Sequence, residues 1–434
     1  MPGGPDSSSI RCGVARVDIS PTLDTELAGY PFIRRPCRGT HDPLYATAMV
    51  FESNGAAAAI IALDVLAVGP SLVGAIREHI QRRLGIPPDH VLVCATHTHS
   101  APALPLGPAA DPGVYGAADP AYTGGLPASV HEACDAAAAA RRPIALTLGH
   151  AWVDGVSSNR RHPGGVTDSR VTALFARDPT GQVVGVVLNF ACHPTVLHAD
   201  NTLASSDVVW AARRVVEERL GGIALYTTGA AGDQSTRHTR RAATFDEADR
   251  LGSIVGEGAA ACAPRANALA GTRVGGRRRH VTLPLRRLPS RQDAERHLAR
   301  AEDHLTALTA AGAPGPALRT AEVEVLGARH TARWAKDGAG APGTARAEVQ
   351  VLAIGDLRIV GLPVELFAED GLRLQAGAEA PLIVVCYAND MLGYAPPAAA
   401  FHEGGYEPSS TLLGPEAKDR VLDAALELLQ AVQV

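Results

Sequence analysis

The sequence predicts an α/β fold in which mixed β-sheets are covered by helices. Short apolar runs of strand length alternate with longer stretches of helical periodicity along the whole chain. The 434 residues, of which 46% are apolar, are enough to bury a large hydrophobic core. Neither an internal repeat nor a flexible linker divides the sequence. We therefore predict a single domain over 1–434.

Strands are predicted where apolar residues alternate with polar ones or run continuously between turn residues. They are expected at 13–19, 46–51, 57–64, 91–100, 144–150, 182–192, 222–228, 347–354, 357–361 and 381–387. Helices are predicted where apolar residues recur every three or four positions, as in 71–84, which Gly85 ends. The others are expected at 126–142, 206–220, 244–267, 290–309, 317–336 and 416–432. Two of these helices make 278–344 a candidate helical insertion.

Composition excludes several classes of partner. The net charge is −5, and no basic stripe with interleaved aromatic residues is present, so a nucleic acid partner is not expected. The longest apolar run, 56–69, is interrupted by Asp64 and is too short to span a bilayer, so no integral membrane segment is expected. The N-terminus lacks the pattern of a signal peptide. Seven cysteines without a C-x-x-C pair indicate free thiols, and we expect a cytoplasmic protein whose oligomeric state the sequence leaves open.

Two histidines one residue apart end the apolar run at 91–100. If the strand continued through them, His97 and His99 would point to the same face of the sheet. A pair of hydrogen-bonded structural histidines would explain this stretch on its own equally well. The following Ala101-Pro102 cannot continue a ladder, so the histidines lie where a strand gives way to a loop. Loops at strand ends commonly carry chemistry.

Five chemically reactive residues share this position shortly after a buried strand. They are His97, His193, Asp233, Glu365 and Tyr394. In sheets covered by helices, sites gather outside one end of the strands. Two histidines and a carboxylate are a common ligand set for catalytic zinc. The sequence therefore predicts a Zn²⁺ site at these strand ends. Residues in polar loops are weaker candidates. Hydrogen bonding within the loop explains His41 equally well, and a solvated loop charge is the default interpretation of Arg160 and Arg161.

Several short motifs occur in an order that resembles the neutral/alkaline non-lysosomal ceramidases. They are His97-Thr98-His99-Ser100, Asn159-Arg160, Asn189-Phe190-Ala191-Cys192-His193, Gly232-Asp233-Gln234-Ser235, Pro363-Val364-Glu365, Asn389-Asp390-Met391-Leu392-Gly393-Tyr394, and Tyr406-Glu407 followed by Ser410-Thr411-Leu412. The resemblance runs from about Gly13 to Gly414. It implies a neutral-ceramidase-like catalytic domain in a short, intracellular-type member, and we expect no C-terminal immunoglobulin-like domain.

The resemblance also implies roles for individual residues. It implies zinc ligands at His97, His193, Glu365 and Tyr394, with catalytic roles for His99, Arg160, Ser235 and again Tyr394. The predicted substrate-binding residues are Asn159, Asp233, His41 and Tyr406. Whether Ser235 stabilises an oxyanion or acts as a nucleophile, with His238 as the rival base, stays open. The reaction implied is hydrolysis of an N-acyl amide to a fatty acid and an amino alcohol.

Departures from the family pattern limit the substrate prediction. After the Gly-Asp-x-Ser turn the usual Pro-Asn is replaced by Thr236-Arg237, Met391 replaces a tyrosine, and aromatic residues make up only 4% of the chain. We therefore expect a zinc-dependent amidohydrolase that acts on a small soluble amide. The alternatives are a ceramidase acting on N-acylsphingosine, a zinc-dependent esterase or acyl transferase, and, least favoured, a non-catalytic zinc-binding protein.

Overall fold

The structure is a computed structural model that describes residues 9–106, 115–338 and 343–432. The helices are α1 (Pro70–Leu84), α2 (Pro120–Ala139), α3 (Val208–Leu220), α4 (Phe245–Cys262), α5 (Arg291–Ala310), α6 (Gly315–Asp337), α7 (Ala368–Ala376), α8 (Ala398–Glu403), α9 (Tyr406–Ser409) and α10 (Ala417–Ala431). The strands are β1 (Arg11–Asp18), β2 (Gly39–Thr40), β3 (Tyr45–Ser53), β4 (Ala56–Leu63), β5 (Val91–Ala95), β6 (Arg142–Pro143), β7 (Ala145–Trp152), β8 (Ser158–Asn159), β9 (Arg170–Arg177), β10 (Val183–Phe190), β11 (Leu203–Ala204), β12 (Ile223–Thr228), β13 (Gln234–Ser235), β14 (Asn267–Ala268), β15 (Val274–Pro284), β16 (Thr344–Ile354), β17 (Leu357–Gly361), β18 (Glu365–Leu366), β19 (Leu382–Val385) and β20 (Tyr394–Ala395).

Three mixed sheets form the scaffold, as the predicted fold class requires. Their strand orders are β5-β4-β3-β1-β6, β12-β10-β9-β7-β14 and β15-β16-β17-β19. Each sheet contains one parallel pair among antiparallel neighbours: β4 with β5, β10 with β12, and β17 with β19. The predicted α/β fold with mixed sheets and covering helices is confirmed.

One apolar core is shared by the inner faces of all three sheets. Phe51 and Leu92 come from the first sheet, Leu174 and Leu225 from the second, and Ile383 from the third. The outer face of the second sheet packs on α3 and α4, whereas α1, α2 and α10 cover apolar residues of the other two sheets. Burial on both faces explains why the central strands are almost continuously apolar.

Hydrogen bonds tie the carboxyl ends of strands from different sheets together. The hydroxyl of Thr228, at the end of β12, donates to the carbonyl of Thr96 at 2.8 Å. The amide of Cys386, just after β19, donates to the carbonyl of Thr228 at 2.9 Å. The amide of Asn389 donates to the carbonyl of Val93 in β5 at 2.7 Å. The loops after β5, β12 and β19 therefore meet in one region.

A helical hairpin, α5 and α6, joins the antiparallel strands β15 and β16. It occupies most of the predicted 278–344 insertion, although residues 278–284 belong to β15. Helix α6 packs on α9: the hydroxyl of Thr331 donates to the carbonyl of Ser409 at 2.9 Å, and Gly327 lies against Tyr406. The hairpin thus brings side chains from far along the chain to the strand ends.

Two long strands, β9 and β15, were not predicted from the sequence, and neither were the eight two-residue strands among the described residues. Strand β15 contains Arg277-Arg278-Arg279-His280, whose polar side chains are exposed or half-buried, so no apolar alternation marks it. It is ordered by its long register with β16 rather than by its own pattern. Strand β9 is buried between β7 and β10. Within the described ranges no helix combines the length and apolar character needed to cross a membrane, and all seven cysteines are buried and unpaired.

Close packing of α3 on α4 depends on Gly252, and we expect Gly252→Ala to lower the free energy of unfolding by about 1–3 kcal/mol. A methyl group at this position would collide with the carbonyl oxygen of Val208 and would come within 2.9 Å of the Ala211 side chain. Gly74, an exposed glycine in α1, is the matched control because a methyl group there meets nothing within 4 Å.

The control Gly74→Ala should raise the free energy of unfolding by about 0.5–1 kcal/mol, because alanine lowers the backbone entropy of the unfolded chain. Both values come from chemical denaturation with the same denaturant. Equal stability of the two variants would show that the helices are not packed this closely.

Candidate metal centre

His97 is positioned by a turn in the backbone after β5. The strand ends at Ala95, and His97 has φ of +65°, in the left-handed region that non-glycine residues rarely adopt. Its amide donates to the carbonyl of Val65 at 3.0 Å, and its ring Nδ1 bonds to the carbonyl of Leu66 at 2.7 Å. The expected shared strand face is therefore wrong as an explanation. The two histidines approach each other because the chain turns, a costly conformation that the surrounding structure must hold in place.

His193 follows β10 and is held in the same way. Its Nδ1 bonds to the carbonyl oxygens of Ala231 at 2.7 Å and Gln234 at 3.1 Å. A ring nitrogen facing carbonyl oxygens must carry the proton. In both His97 and His193, Nδ1 is therefore the donor, and Nε2 presents a lone pair to the interior. Backbone bonds of this type commonly orient histidine ligands of metals.

Glu365 completes a set of converging donor atoms. Its Oε2 lies 3.0 Å from Nε2 of His193 and 3.6 Å from Nε2 of His97. Zinc ligands at about 2.0–2.1 Å in a tetrahedron are about 3.3 Å from one another. The buried Nε2 of His193 has no hydrogen-bond partner among the described residues, even though Oε2 is near. This atom and its neighbours therefore fit a divalent metal ion.

His99 belongs to the same cluster. Its Nε2 lies 3.4 Å from Nε2 of His97. One ring nitrogen from each of His97, His99 and His193 lies within 4.8 Å of the other two. The ring of Tyr30 packs edge-on against His99 with the centroids 5.5 Å apart. The structure thus offers a third imidazole beside the two predicted histidine ligands.

Burial sets the protonation states in the cluster. Removal from water lowers the pKa of His97 to about 3 and holds the pKa values of His99 and His193 well below their usual value. Burial also raises the pKa of the Glu365 carboxyl, while His97 and Arg160 act to lower it. Neutral imidazoles are the form that binds metals, so the histidines need lose no proton to do so.

Two tyrosines flank Glu365. Tyr394 lies opposite Glu365 in the short parallel pair β18 and β20, and its hydroxyl accepts a bond from Nη2 of Arg160 at 3.0 Å. The hydroxyl of Tyr387 donates to Oε2 of Glu365 at 3.3 Å, and its ring stacks on His97 at 3.9 Å. Sequence analysis missed Tyr387. It comes two residues after β19, so the strand-end rule applied to the other candidates could have found it.

Arg160 is fixed by a buried carboxylate. Its Nε donates to Oε1 of Glu407 at 2.8 Å, and Nη1 of Arg161 donates to Oε2 of the same carboxylate at 2.6 Å. Burial favours the neutral acid, but the two guanidinium groups lower the pKa of Glu407 to about 2. The charged network leaves the Arg160 guanidinium aimed at Tyr394.

Asn159 and Ser235 lie in the small sheet of β8 and β13, and Asp233 directly precedes β13. The Ser235 hydroxyl accepts a bond from the Arg237 amide at 3.2 Å and lines a cavity together with His99 and Arg160. Asn159 Nδ2 donates to Asp233 Oδ2 at 2.8 Å, and Asp233 Oδ1 accepts the amide of Ala368 at the start of α7, at 2.9 Å. The contacts of Asn159 and Asp233 are therefore internal to the scaffold.

The other two predicted substrate-binding residues occupy different places. Tyr406 lies beside the centre, edge-on to Tyr394 with the ring centroids 5.7 Å apart. His41 bonds to Asp42 at 3.1 Å and stacks on Phe245 at 3.7 Å, and it does not line the described cavities at the metal centre.

A cavity opens over the histidine cluster. Polar groups of the centre form its floor, while its walls are largely apolar and include a tryptophan from α6. Its lining includes His97, His99, Glu365, Tyr394, Tyr406, Leu66, Leu106, Trp334, Met391, Leu392 and Leu412. Polar atoms at the base of an apolar cavity are the usual arrangement of a small-molecule site.

The family described as "Neutral/alkaline non-lysosomal ceramidase, N-terminal" matches residues 10–235, slightly more than half of the chain. The chain belongs to the neutral/alkaline non-lysosomal ceramidase family. This family segment contains His97, Arg160, His193 and Ser235, and Glu365 lies beyond it.

Individual ceramidases are similar over limited lengths. Neutral ceramidase from Drosophila melanogaster is 27% identical over 233 residues, 49% of this chain and 32% of that protein. Neutral ceramidase from Drosophila pseudoobscura pseudoobscura is 33% identical over 100 residues, 22% of this chain and 14% of that protein. These matched segments therefore span less than a third of each fly ceramidase.

Solved ceramidase structures share the fold over almost the whole chain. The crystal structure of neutral ceramidase from Pseudomonas aeruginosa has a TM-score of 0.77 at 19% identity and covers 99% of this chain and 75% of that chain. A ceramidase complexed with C2 has a TM-score of 0.75 at 18% identity, with 98% and 75% covered. At these identities the likeness shows a common ceramidase fold.

Proposed function

We propose that this protein is a zinc-dependent amidohydrolase that cleaves the N-acyl bond of a small soluble amide. The observation that carries the proposal is the convergence of three donor atoms: Nε2 of His193 lies 3.0 Å from Oε2 of Glu365, and Nε2 of His97 lies 3.6 Å from the same oxygen. Seven unpaired thiols support a reducing compartment, and we place the activity in the cytoplasm.

His97, His193 and Glu365 would hold the metal, with Tyr394 as the fourth protein ligand that the family resemblance implies. Zinc, when bound, supplies a Lewis acid for the amide carbonyl and lowers the pKa of water at the site toward 7. Arg160 places a fixed positive charge beside Tyr394. There it would stabilise the negative charge that develops on the carbonyl oxygen of the substrate amide during hydrolysis.

His99 is the proposed proton carrier. Its Nε2 lies 3.4 Å from that of His97, and burial keeps its imidazole neutral before the reaction. A neutral imidazole accepts a proton from the attacking water and passes it to the departing amine nitrogen. Ser235 supplies a hydroxyl at the edge of the same space.

Replacing Ser235 by alanine should slow kcat by about tenfold, the worth of one neutral hydrogen bond of about 1.4 kcal/mol. Because Ser235 is not among the proposed ligands, the metal content of the variant should equal that of the wild type. Steady-state kinetics and elemental analysis measure both quantities. Trapping of an acylated Ser235 by rapid acid quench would overturn the oxyanion role and make this serine the nucleophile.

A second candidate substrate, ceramide itself, is favoured by the apolar walls of the cavity and by the names of the relatives. A panel of short N-acyl amides, the matched esters and a long-chain ceramide in detergent tests the proposal. We expect kcat/KM to be highest for the short amides. Activity on long-chain ceramide well above that on every short amide would replace the soluble substrate with ceramide, and activity on esters alone would make the enzyme an esterase.

A further inference from the structure

A second cavity adjoins the metal centre on its Ser235 side. Gly29, His99, Tyr394 and Tyr406 line both cavities, so the two lie side by side. The second cavity is strongly basic. Its wall contains four arginines from three parts of the chain, Arg160, Arg237, Arg240 and Arg319, and no aspartate or glutamate among the described residues. We call it the arginine pocket.

Two of the four guanidinium groups have a carboxylate partner within the protein. Arg160 pairs with Glu407, and Nη1 of Arg319 donates to Oε2 of Glu322 at 2.9 Å. Arg237 and Arg240 form no ion pair with any described residue. Their Nη1 atoms donate to backbone carbonyls instead, to that of Arg160 at 3.3 Å and that of Thr195 at 2.8 Å.

These two positive charges are half-buried beside other cations, which is unfavourable in the empty pocket. Burial and the charge of Arg160 lower the pKa of Arg237 to about 9, and burial also lowers the pKa of Arg240. Glu407 acts to raise the pKa of Arg237 and Asp207 that of Arg240. Glu407 already pairs with Arg160 and Arg161, however, and Asp207 already accepts the amides of Leu197 and Val208. On the same wall, the buried Nε2 of His198 has no partner among the described residues.

A ligand anion would satisfy all of these groups at once. Guanidinium groups bind carboxylate and phosphate oxygens through paired, charge-assisted hydrogen bonds. After the Gly-Asp-x-Ser turn the family pattern has Pro-Asn, and this sequence has Thr236-Arg237 instead. This replacement places a positive charge at the wall of the arginine pocket. Ceramide carries no charge that would use it.

We propose that the arginine pocket binds an anionic group, a carboxylate or a phosphate, that the substrate carries within a few bonds of its scissile amide. This inference rests on the proposed amidohydrolase function and names its substrate class. The short separation follows because His99, Tyr394 and Tyr406 line both the metal cavity and the arginine pocket. Substrates with these features are N-acyl amino acids and N-acyl amino alcohol phosphates.

The first test measures anion binding without catalysis. Inorganic phosphate is titrated by calorimetry into the metal-replete wild type, Arg237→Gln, Arg240→Gln and the control Arg300→Gln, which removes an exposed charge on α5 that lines neither cavity. We expect at least tenfold weaker phosphate binding in both pocket variants and none of this loss in the control. Equal binding in all four proteins would overturn the proposal.

The second test uses substrate pairs that differ only in charge. N-acetylalanine is compared with its carboxamide, and the N-acetyl derivative of phosphoethanolamine with N-acetylethanolamine. In one of the two pairs, we expect the charged substrate to have a kcat/KM at least tenfold higher than its neutral partner. In Arg237→Gln this preference should be lost because the KM for the charged substrate rises. Which pair shows it identifies the anion. Equal rates within both pairs would overturn the proposal, whereas hydrolysis of none would reject the amidohydrolase function and leave the phosphate titration to decide the pocket.

Discussion

Replacing His193 by alanine is expected to remove the bound metal and to lower kcat/KM for amide hydrolysis by at least about a thousandfold. Bonds from Nδ1 to the carbonyls of Ala231 and Gln234 fix the ring, so its Nε2 is already aimed at the site before metal binds. Loss of the metal removes several kcal/mol of transition-state stabilisation, and about 4 kcal/mol corresponds to a thousandfold.

The control is His297→Ala, which removes an exposed histidine from α5. Elemental analysis gives metal per chain for the wild type and both variants, and circular dichroism shows whether each is folded. A folded His193→Ala protein that keeps its full metal content would contradict the assignment of His193 as a ligand.

Replacing Arg160 by alanine is expected to lower kcat by about a hundredfold to a thousandfold while leaving the metal in place. The guanidinium is buried, held by Glu407 at 2.8 Å and directed at the Tyr394 hydroxyl at 3.0 Å, so it costs no reorganisation when charge develops nearby. Glu407 keeps its ion pair with Arg161 in the variant, which limits the damage to the fold.

Arg161→Ala is the matched control because it removes the other partner of Glu407 but has no bond to Tyr394. We expect it to lower kcat less than tenfold. Steady-state kinetics, with metal content measured on the same samples, separates the two variants. Equal losses of kcat would show that Arg160 matters only through the buried ion-pair network.

The strand pattern predicted the fold class well because the central strands are buried on both faces and are therefore apolar throughout. The same pattern drew attention to His97, His193 and Glu365, and the structure places Nε2 of both histidines within 3.6 Å of Oε2 of Glu365. It could not show why His97 faces the others, because that depends on a left-handed backbone conformation that no local residue preference predicts. Nor did it find β15, whose order comes from its partner β16.

The arginine pocket was beyond reach of sequence alone for a different reason. Arg237 and Arg319 are far apart in the chain, and only the packing of α6 over the strand ends brings them to one cavity. An arginine in a loop or on a helix surface is ordinarily solvated. What marks Arg237 is its burial without a carboxylate partner among the described residues, a property of the folded protein.

The most direct test of the central claim is the rate of acid release from an N-acyl amide before and after metal removal. The protein is assayed metal-replete, after chelation and dialysis, and after addition of one equivalent of Zn²⁺. We predict equimolar release of acid and amine, loss of about 95% of the rate or more after chelation, and recovery with zinc. An undiminished rate in metal-free protein, or no hydrolysis of any amide by the zinc-loaded protein, would contradict the account.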